Sequence, residues 1–171
     1  LMNTSMGSER TELEMVRKKA NVLREMTKMV VQDVLDDPRS GEKIKDVSES
    51  VQGLVGFILD NETSYYSLMR ISSHDFYTYI HSLNVCTLSV GLGSAIGLPQ
   101  KPDLEQLGLG AMLHDLGKSQ VDSHLINKPG RLTEEEFAQM RNHVMLGVDL
   151  LKNHHKLPHR VLEPVAQHHE K

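Results

Sequence analysis

The chain has 171 residues, a formal net charge of −4 at pH 7, 39% hydrophobic residues and only 4% aromatic residues. Its length fits one domain of ordinary size, and its negative charge argues against general binding to nucleic acid polymers. The single cysteine, Cys86, excludes an intramolecular disulfide, and no apolar stretch reaches the ~20 residues that a membrane span needs. We therefore expect a cytoplasmic protein without a membrane span.

The first predicted element is a helix over residues 9–35, which ends before the turn-rich segment 36–41. A stripe with three-four spacing runs along it: Val16, Ala20, Leu23, Thr27, Val30 and Val34. This stripe predicts either a coiled coil that joins a homodimer or passes a signal, or an amphipathic helix packed on its own domain. The second interpretation is favoured, because the run is shorter than the ~3–4 heptads of a secure coiled coil. Residues 1–8 show no periodicity and are left out of the prediction.

A second helix is predicted over residues 42–59, and a shorter third helix ends near Ile71 after a polar break at 61–64. The second helix has one apolar side, formed by Ile44, Val47, Val51, Leu54, Val55 and Ile58. No segment alternates apolar and polar residues with the period of a strand. We therefore predict an all-α protein, in which residues 1–72 form a helical lead-in or regulatory segment.

The remaining part, residues 73–171, is predicted to carry histidines on four helices. The first of these helices bears His81 and can be capped by Ser73 or Asp75. It should run to about Ile96, because the Gly97–Pro99 segment stops it.

The second of these helices is predicted to deliver an adjacent pair of ligand-type residues, His114 and Asp115, at its C-terminal end. Asp103 can cap its start, and Gly117 is the expected terminator. A loop over residues 119–131 should follow.

The last two of these helices carry three histidines. Thr133 and Glu136 have the spacing of a capping box, which predicts the start of the helix that bears His143. The pair Leu157-Pro158 should begin the final helix, which bears His168-His169.

Five histidines and one carboxylate on four helices are typical of a metal site built inside a helical bundle. Imidazole suits Fe, Mn, Zn and Ni, whereas the absence of a cysteine pair excludes a structural zinc site of the thiolate type. Cys86 lies among aliphatic residues and is expected to be an inert packed thiol. The other histidines are explained by helix caps, helix ends or loops and carry no predicted role: His74, His124, His154, His155 and His159.

Several motifs from Ser73 onward resemble one family in order and spacing. They are His74-Asp75-x-Tyr77-Thr78-x-x-His81-Ser82, His114-Asp115-x-Gly117-Lys118, Ile126-x-Lys128-Pro129-Gly130-x-Leu132, Arg141-x-His143 with Gly147, and His168-His169-Glu170. Together they resemble the HD superfamily of metal-dependent phosphohydrolases, and within it the HD-GYP branch, whose members cleave cyclic di-GMP. In that branch the next segment is a Gly-Tyr-Pro loop and a helix with a further aspartate ligand. Because this sequence ends at Lys171, the resemblance implies most of a metal site without its closing piece.

The resemblance implies an HD-type helical bundle with two divalent transition-metal ions, Fe or Mn being favoured over Zn or Ni. Asp115 would bridge the ions, with His81 and His114 on one and His143, His168 and His169 on the other. Lys118 would contact a substrate phosphate, and Lys128 and Arg141 are weaker substrate-binding predictions. Some relatives have a glutamate at the position of Tyr77 and bind a third ion, so its absence favours two.

The function that the resemblance implies is hydrolysis of cyclic di-GMP, with a bridging hydroxide as nucleophile and Asp115 and Lys118 as the catalytic residues. Two alternatives stay open. The chain could hydrolyse another nucleotide or phosphate ester. It could also be a catalytically silent metal- or nucleotide-binding module that passes a signal through its N-terminal helices.

Overall fold

The computed structural model describes residues 2–60, 62–70, 78–98 and 100–170. All regular structure in these residues is helical, which confirms the predicted all-α class. Up to residue 113 the described residues form the helices α1 (Met2–Asp36), α2 (Gly41–Asp60), α3 (Glu62–Arg70), α4 (Thr78–Ala95) and α5 (Lys101–Leu113). They are followed by a 3-10 helix (Leu116–Gln120), α6 (Ser123–Ile126), α7 (Glu134–Arg141), α8 (His143–His154) and α9 (His159–Gln167). None of the described helices is long and apolar enough to cross a bilayer.

Helix α1 begins at Met2 rather than at residue 9, because the first residues contain no proline and continue the helix despite lacking an apolar stripe. The predicted stripe packs inward: Ala20, Thr27 and Val34 are buried in contact with the rest of the bundle. Helix α2 matches its prediction closely, and all six residues of its apolar side are buried.

The hydrophobic core is shared by the two predicted parts of the chain. One cluster of buried side chains contains residues of α1 and α2 together with residues of α4, α5, α8 and α9. Arg24 is also buried on α1, and its guanidinium donates a hydrogen bond of 2.9 Å to the side-chain oxygen of Asn84 on α4. The division at residues 72 and 73 falls outside the described residues and stays a prediction.

Helices α4 and α5 pack closely at the centre of the bundle. A Cβ atom on Gly108 of α5 would lie 2.9 Å from Val90 and 3.4 Å from the sulfur of Cys86, so glycine permits this approach. Burial raises the pKa of the Cys86 thiol to about 12, in agreement with an inert packed side chain. Helix α4 ends at Ala95, one residue before the predicted Ile96, and Gly97 follows in the left-handed conformation with a φ of 80°.

The structure tests the predicted N-cap of α5 but not that of α4. Asp103 does not cap α5, because the N-cap is Gln100 and Pro102 lies in the first turn; the Asp103 carboxylate is ion-paired with Arg160 of α9 instead. Ser73 and Asp75, the predicted caps of α4, lie outside the described residues.

Three helix boundaries predicted after residue 113 differ in the structure. Thr133 and Glu136 form the predicted capping box of α7, but this helix ends at Arg141. After Asn142, His143 begins the separate helix α8. The final helix starts after its N-cap Pro158 and ends at Gln167, so His168 and His169 follow it. Gly117 lies within the 3-10 helix and does not terminate α5. The predicted loop over 119–131 also contains the short helix α6, capped by Asp122.

Candidate metal centre

Asp115 lies at the junction of α5 and the 3-10 helix, with its side chain only 3% exposed. Its two carboxylate oxygens face different neighbours. Oδ1 lies 3.4 Å from Nε2 of His143 and 3.7 Å from Nε2 of His168. Oδ2 lies 3.3 Å from Nε2 of His114 and 4.0 Å from Nε2 of His81. One carboxylate therefore stands between two sets of imidazoles.

The side chains form two groups, and within each group the ligand atoms lie within 4.8 Å of one another. We call His143, His168 and His169 the inner group, and His81, His114 and Asp115 the outer group. Each group contains one exposed histidine, His169 in the inner group and His81 in the outer group. Helices α4, α5, α8 and α9 position these residues, but α6 and α7 intervene in the chain, and His168 and His169 lie just after α9 rather than on it as predicted.

Three of the histidines are oriented by the backbone of their own helical turn. Nδ1 of His114, His143 and His168 donates to the carbonyl oxygen three residues earlier, at 2.7, 2.6 and 3.0 Å respectively. In the neutral rings of His143 and His168 this bond fixes the proton on Nδ1 and leaves the lone pair of Nε2 facing Asp115. Histidines that ligate metals are commonly held by such a second hydrogen bond.

The environment favours the neutral form of His81, His143 and His168 and the ionised form of the Asp115 carboxylate. Burial lowers the pKa of His81, His143 and His168, the last to about 4, with the charge of His114 as a further cause for His81 and His168. Burial would raise the pKa of Asp115, but the hydrogen bonds and charges of His114 and Lys118 outweigh it and hold that pKa well below its ordinary value. Neutral imidazole and carboxylate are the protonation states that bind a metal ion.

The contact between two histidines fits a metal ion. Nε2 of His143 and Nε2 of His168 lie 3.1 Å apart, and both rings already use Nδ1 as donor. In the neutral tautomers two lone pairs face each other, which is unfavourable without a cation near them. Two ligand atoms bound at ~2.1 Å to one ion are ~3 Å apart when they subtend a right angle. The donor set of imidazoles and a carboxylate thus suits transition-metal ions.

Gly117 allows the 3-10 helix to approach α8. A Cβ atom at this position would collide with the carbonyl oxygen of His143 and would lie 2.5 Å from the backbone nitrogen of Gly147. Neither backbone atom can move without shifting α8. Glycine is therefore required here for close packing, and this packing places Asp115 beside His143.

The three basic residues predicted to bind substrate lie in different surroundings. Nζ of Lys118 lies 2.7 Å from Oδ2 of Asp115, within the centre. Lys128 is ion-paired with Glu136 at 2.6 Å, and the guanidinium of Arg141 stacks 5.1 Å over the ring of Phe137. The structure therefore brings Lys118 to the centre and leaves Lys128 and Arg141 engaged elsewhere.

A cavity of about 820 Å³ opens over the centre. Its floor includes the outer group, Lys118, His168 and His169, and its walls include Val85, Leu107 and Pro164. Arg160, Glu163 and Gln167 of α9 also line it, and the sequence analysis did not assign them a role. The signal was present in their spacing, because residues 160, 163, 164, 167 and 168 repeat at three-four intervals on one face of α9.

The remaining histidines have partners outside the centre or are not described. His155 caps α8, is buried, and donates from Nε2 to the carbonyl oxygen of Pro38 at 3.0 Å, so its role is to join α8 to the turn after α1. Exposed His159 lies 3.2 Å from Glu163, and His124 is exposed on α6. His74 and Tyr77 lie outside the described residues, as does the side chain of His154.

Comparisons with known proteins agree with this arrangement. Residues 78–171 match the HD domain family. The chain is 33% identical over 164 residues to the cyclic di-GMP phosphodiesterase PA4108 of Pseudomonas aeruginosa, which covers 95% of this chain and 39% of that protein. It is 30% identical over 156 residues to the 3'3'-cGAMP-specific phosphodiesterase 3 of Vibrio cholerae, covering 83% of this chain and 33% of that protein.

A solved structure has the same fold. Bd1817, an HDG"Y"P protein from Bdellovibrio bacteriovorus, superposes with a TM-score of 0.78 at 24% sequence identity, over 91% of this chain and 51% of that chain. The chain thus spans about half of that structure and about two fifths or less of the two enzymes it matches. Because the family match covers more than half of the chain, the chain belongs to the HD domain family. The relatives named as cyclic dinucleotide phosphodiesterases and the HDG"Y"P structure support the predicted HD-GYP branch.

Proposed function

We propose that this chain is the metal-binding part of a phosphodiesterase that hydrolyses cyclic dinucleotides, with cyclic di-GMP as the first substrate to test. The observation that carries the proposal is the position of Asp115, whose two oxygens face two separate groups of histidines. Two relatives named as phosphodiesterases of cyclic di-GMP and of 3'3'-cGAMP support the substrate class.

The proposal assigns one divalent ion to each group. The inner group would hold one ion together with Oδ1 of Asp115, and the outer group would hold the second through Oδ2. Such ions act as Lewis acids and lower the pKa of a coordinated water from ~15.7 toward ~7. The backbone hydrogen bonds of His114, His143 and His168 keep the Nε2 lone pairs in place and so reduce the reorganisation needed for binding.

Lys118 is the residue that we assign to the phosphate. Its ammonium lies at the floor of the cavity, and its side chain is 28% exposed. The flexible stem allows Nζ to move from Asp115 to an oxygen of a bound phosphodiester, where a positive charge stabilises the negative charge that develops on the phosphoryl group.

The cavity fits a ligand that combines anionic and flat apolar parts. Its volume of about 820 Å³ lies in the usual range of sites for small molecules. Apolar walls from α4 and α5, including Val85 and Leu107, can contact the faces of nucleobases and exclude water near the phosphate.

The test is turnover by the full chain after loading with Mn²⁺ or Fe²⁺. Cyclic di-GMP, 3'3'-cGAMP and a simple aryl phosphodiester are each incubated with it, and products are separated by chromatography. The double variant His114→Ala, Asp115→Ala should abolish hydrolysis, whereas His124→Ala, which removes an exposed histidine of α6, should leave it unchanged. Equal metal content and equal turnover in the double variant would refute the proposal. Nucleotide binding without turnover by the loaded chain would instead support the silent module.

A further inference from the structure

Helix α1 carries a second apolar stripe, which the described residues of the chain do not cover. Met15, Val22, Met26 and Met29 are 53%, 59%, 59% and 67% exposed respectively. Met15, Val22 and Met29 are seven residues apart, so they lie on one line along the helix, with Met26 beside it. This exposed stripe is distinct from the predicted stripe that packs inside the bundle.

The charges beside the exposed stripe change sign along the helix. On one side of it, exposed Lys18 lies in the N-terminal half and exposed Glu25 in the C-terminal half, seven residues further on; Glu25 also contacts Lys28 of its own helix. A second α1 packed parallel and in register would place each of these charges beside its own copy, which is unfavourable. Antiparallel packing would place basic residues of one helix beside acidic residues of the other.

We propose that the exposed stripe is the contact surface between two copies of this chain, packed antiparallel about a two-fold axis near Val22. In this register Met15 faces Met29 of the second copy, and Val22 faces its own counterpart. Lys18 then lies beside Glu25 of the second copy, because both residues lie on the same side of the stripe and the two-fold axis brings like sides together. The interface is self-complementary, as a two-fold axis requires.

The size of the stripe sets the strength of the dimer. Residues 15–29 span ~21 Å of helix at ~1.5 Å per residue, so the contact belongs to the small class of interfaces. Opposite charges at its edge fix orientation more than they add affinity, because exposed ion pairs contribute little. Monomer and dimer should therefore interchange with protein concentration.

The first experiment measures molar mass against concentration by sedimentation equilibrium. We expect the mass to rise from the monomer value of 19.3 kDa toward twice that value. The variant Val22→Glu, Met29→Glu should stay monomeric at every concentration, with its helical circular dichroism and melting temperature retained. Met145→Glu is the matched control, because Met145 is 61% exposed on α8, outside the stripe. A wild-type chain that stays monomeric to millimolar concentration, or a control variant that is equally monomeric, would overturn the proposal.

The second experiment decides orientation and does not depend on the glutamate variants. Met15→Cys and Met29→Cys chains are mixed and oxidised; Cys86 does not interfere because it is buried. Antiparallel packing predicts disulfides between the two different variants, which mass spectrometry resolves. Disulfides confined to identical chains would show parallel packing and overturn the register. Lys18→Glu should weaken the dimer severalfold, and Lys18→Glu combined with Glu25→Lys should restore it.

Discussion

The inner and outer groups of the metal centre differ in how firmly their ligands are held. In the inner group His143 and His168 each have Nδ1 bound to a backbone carbonyl, and the His143 side chain is 3% exposed. In the outer group His114 has such a bond, but His81 is 55% exposed. The inner group is therefore close to its ligand-bound geometry before an ion arrives.

Lys118 adds a second difference between the groups. Its ammonium is 2.7 Å from Oδ2 of Asp115, the oxygen that faces the outer group. The other oxygen, Oδ1, faces His143 and His168 of the inner group. An ion in the outer group must compete with this cation for Oδ2. We therefore expect the inner group to bind its ion more tightly and to fill first.

The largest expected effect comes from removing the charge that both groups share. Asp115→Asn should lower the affinity of both groups for Mn²⁺ by at least about 100-fold, because it removes the carboxylate that stands between them. Loss of a residue that only hydrogen-bonds to a metal ligand already lowers metal affinity by about 10–100-fold. Elemental analysis after dialysis should show less than one ion per chain. Asp122→Asn, which changes only the cap of α6, should retain the wild-type content. Two retained ions in Asp115→Asn would contradict the bridging position.

Separate substitutions in the two groups test the order of filling. His143→Ala should abolish tight binding of the first ion, because it removes the most buried and best oriented ligand of the inner group. His81→Ala should leave the first ion in place and weaken only the second, by about 10-fold, because His81 is exposed and 4.0 Å from Asp115. Calorimetric titration of the metal-free variants with Mn²⁺ resolves the two steps. Loss of the tighter step in His81→Ala would reverse the assignment.

Local sequence signals predicted parts of the fold, whereas features that depend on packing between helices were not predicted. His114-Asp115 at a helix end and the capping box at Thr133 and Glu136 are local signals, and both lie where predicted. The helix break at Asn142 has no comparable signal, because no proline or glycine marks it and the break depends on packing against the 3-10 helix. Gly117 is the clearest case. Its sequence position suggests a helix end, but its role is the close approach to His143.

The structure brings the predicted metal ligands together, but of the predicted substrate-binding residues it brings only Lys118 to them, for a physical reason. A metal site needs rare residue types in a fixed order, so the histidines could be picked out. Lysine and arginine are common on surfaces, and Lys128 forms its ion pair with Glu136 instead of entering the cavity. The spacing of Arg160 places it on one face of α9 with Pro164 and Gln167, but its position over the cavity depends on how α9 packs against α5.

Lys118→Met should affect metal binding and substrate turnover in opposite directions. Without the ammonium on Oδ2, the outer group should bind Mn²⁺ severalfold more tightly, because the competing cation is gone. Turnover of a phosphodiester should nevertheless fall, by about 10–100-fold, if Lys118 stabilises charge on the phosphoryl group. Lys128→Met is the matched control and should change neither quantity. Weaker metal binding in Lys118→Met would show that the ammonium supports the centre rather than competing with the ion.

The smallest expected effect is a pH dependence of the metal-free fold, which compares the anchored histidines with an exposed one. The pKa of His168 is about 4 in the folded chain against 6.5 for an ordinary histidine, because burial and His114 disfavour its charge. Between these values the unfolded chain binds a proton that the folded chain does not, so stability falls as pH falls from 7 toward 4. Thermal unfolding with a chelator should show a lower melting temperature at pH 5 than at pH 7. His168→Gln should reduce that difference, whereas His124→Gln should preserve it; an equal difference in all three proteins would mean that His168 titrates normally.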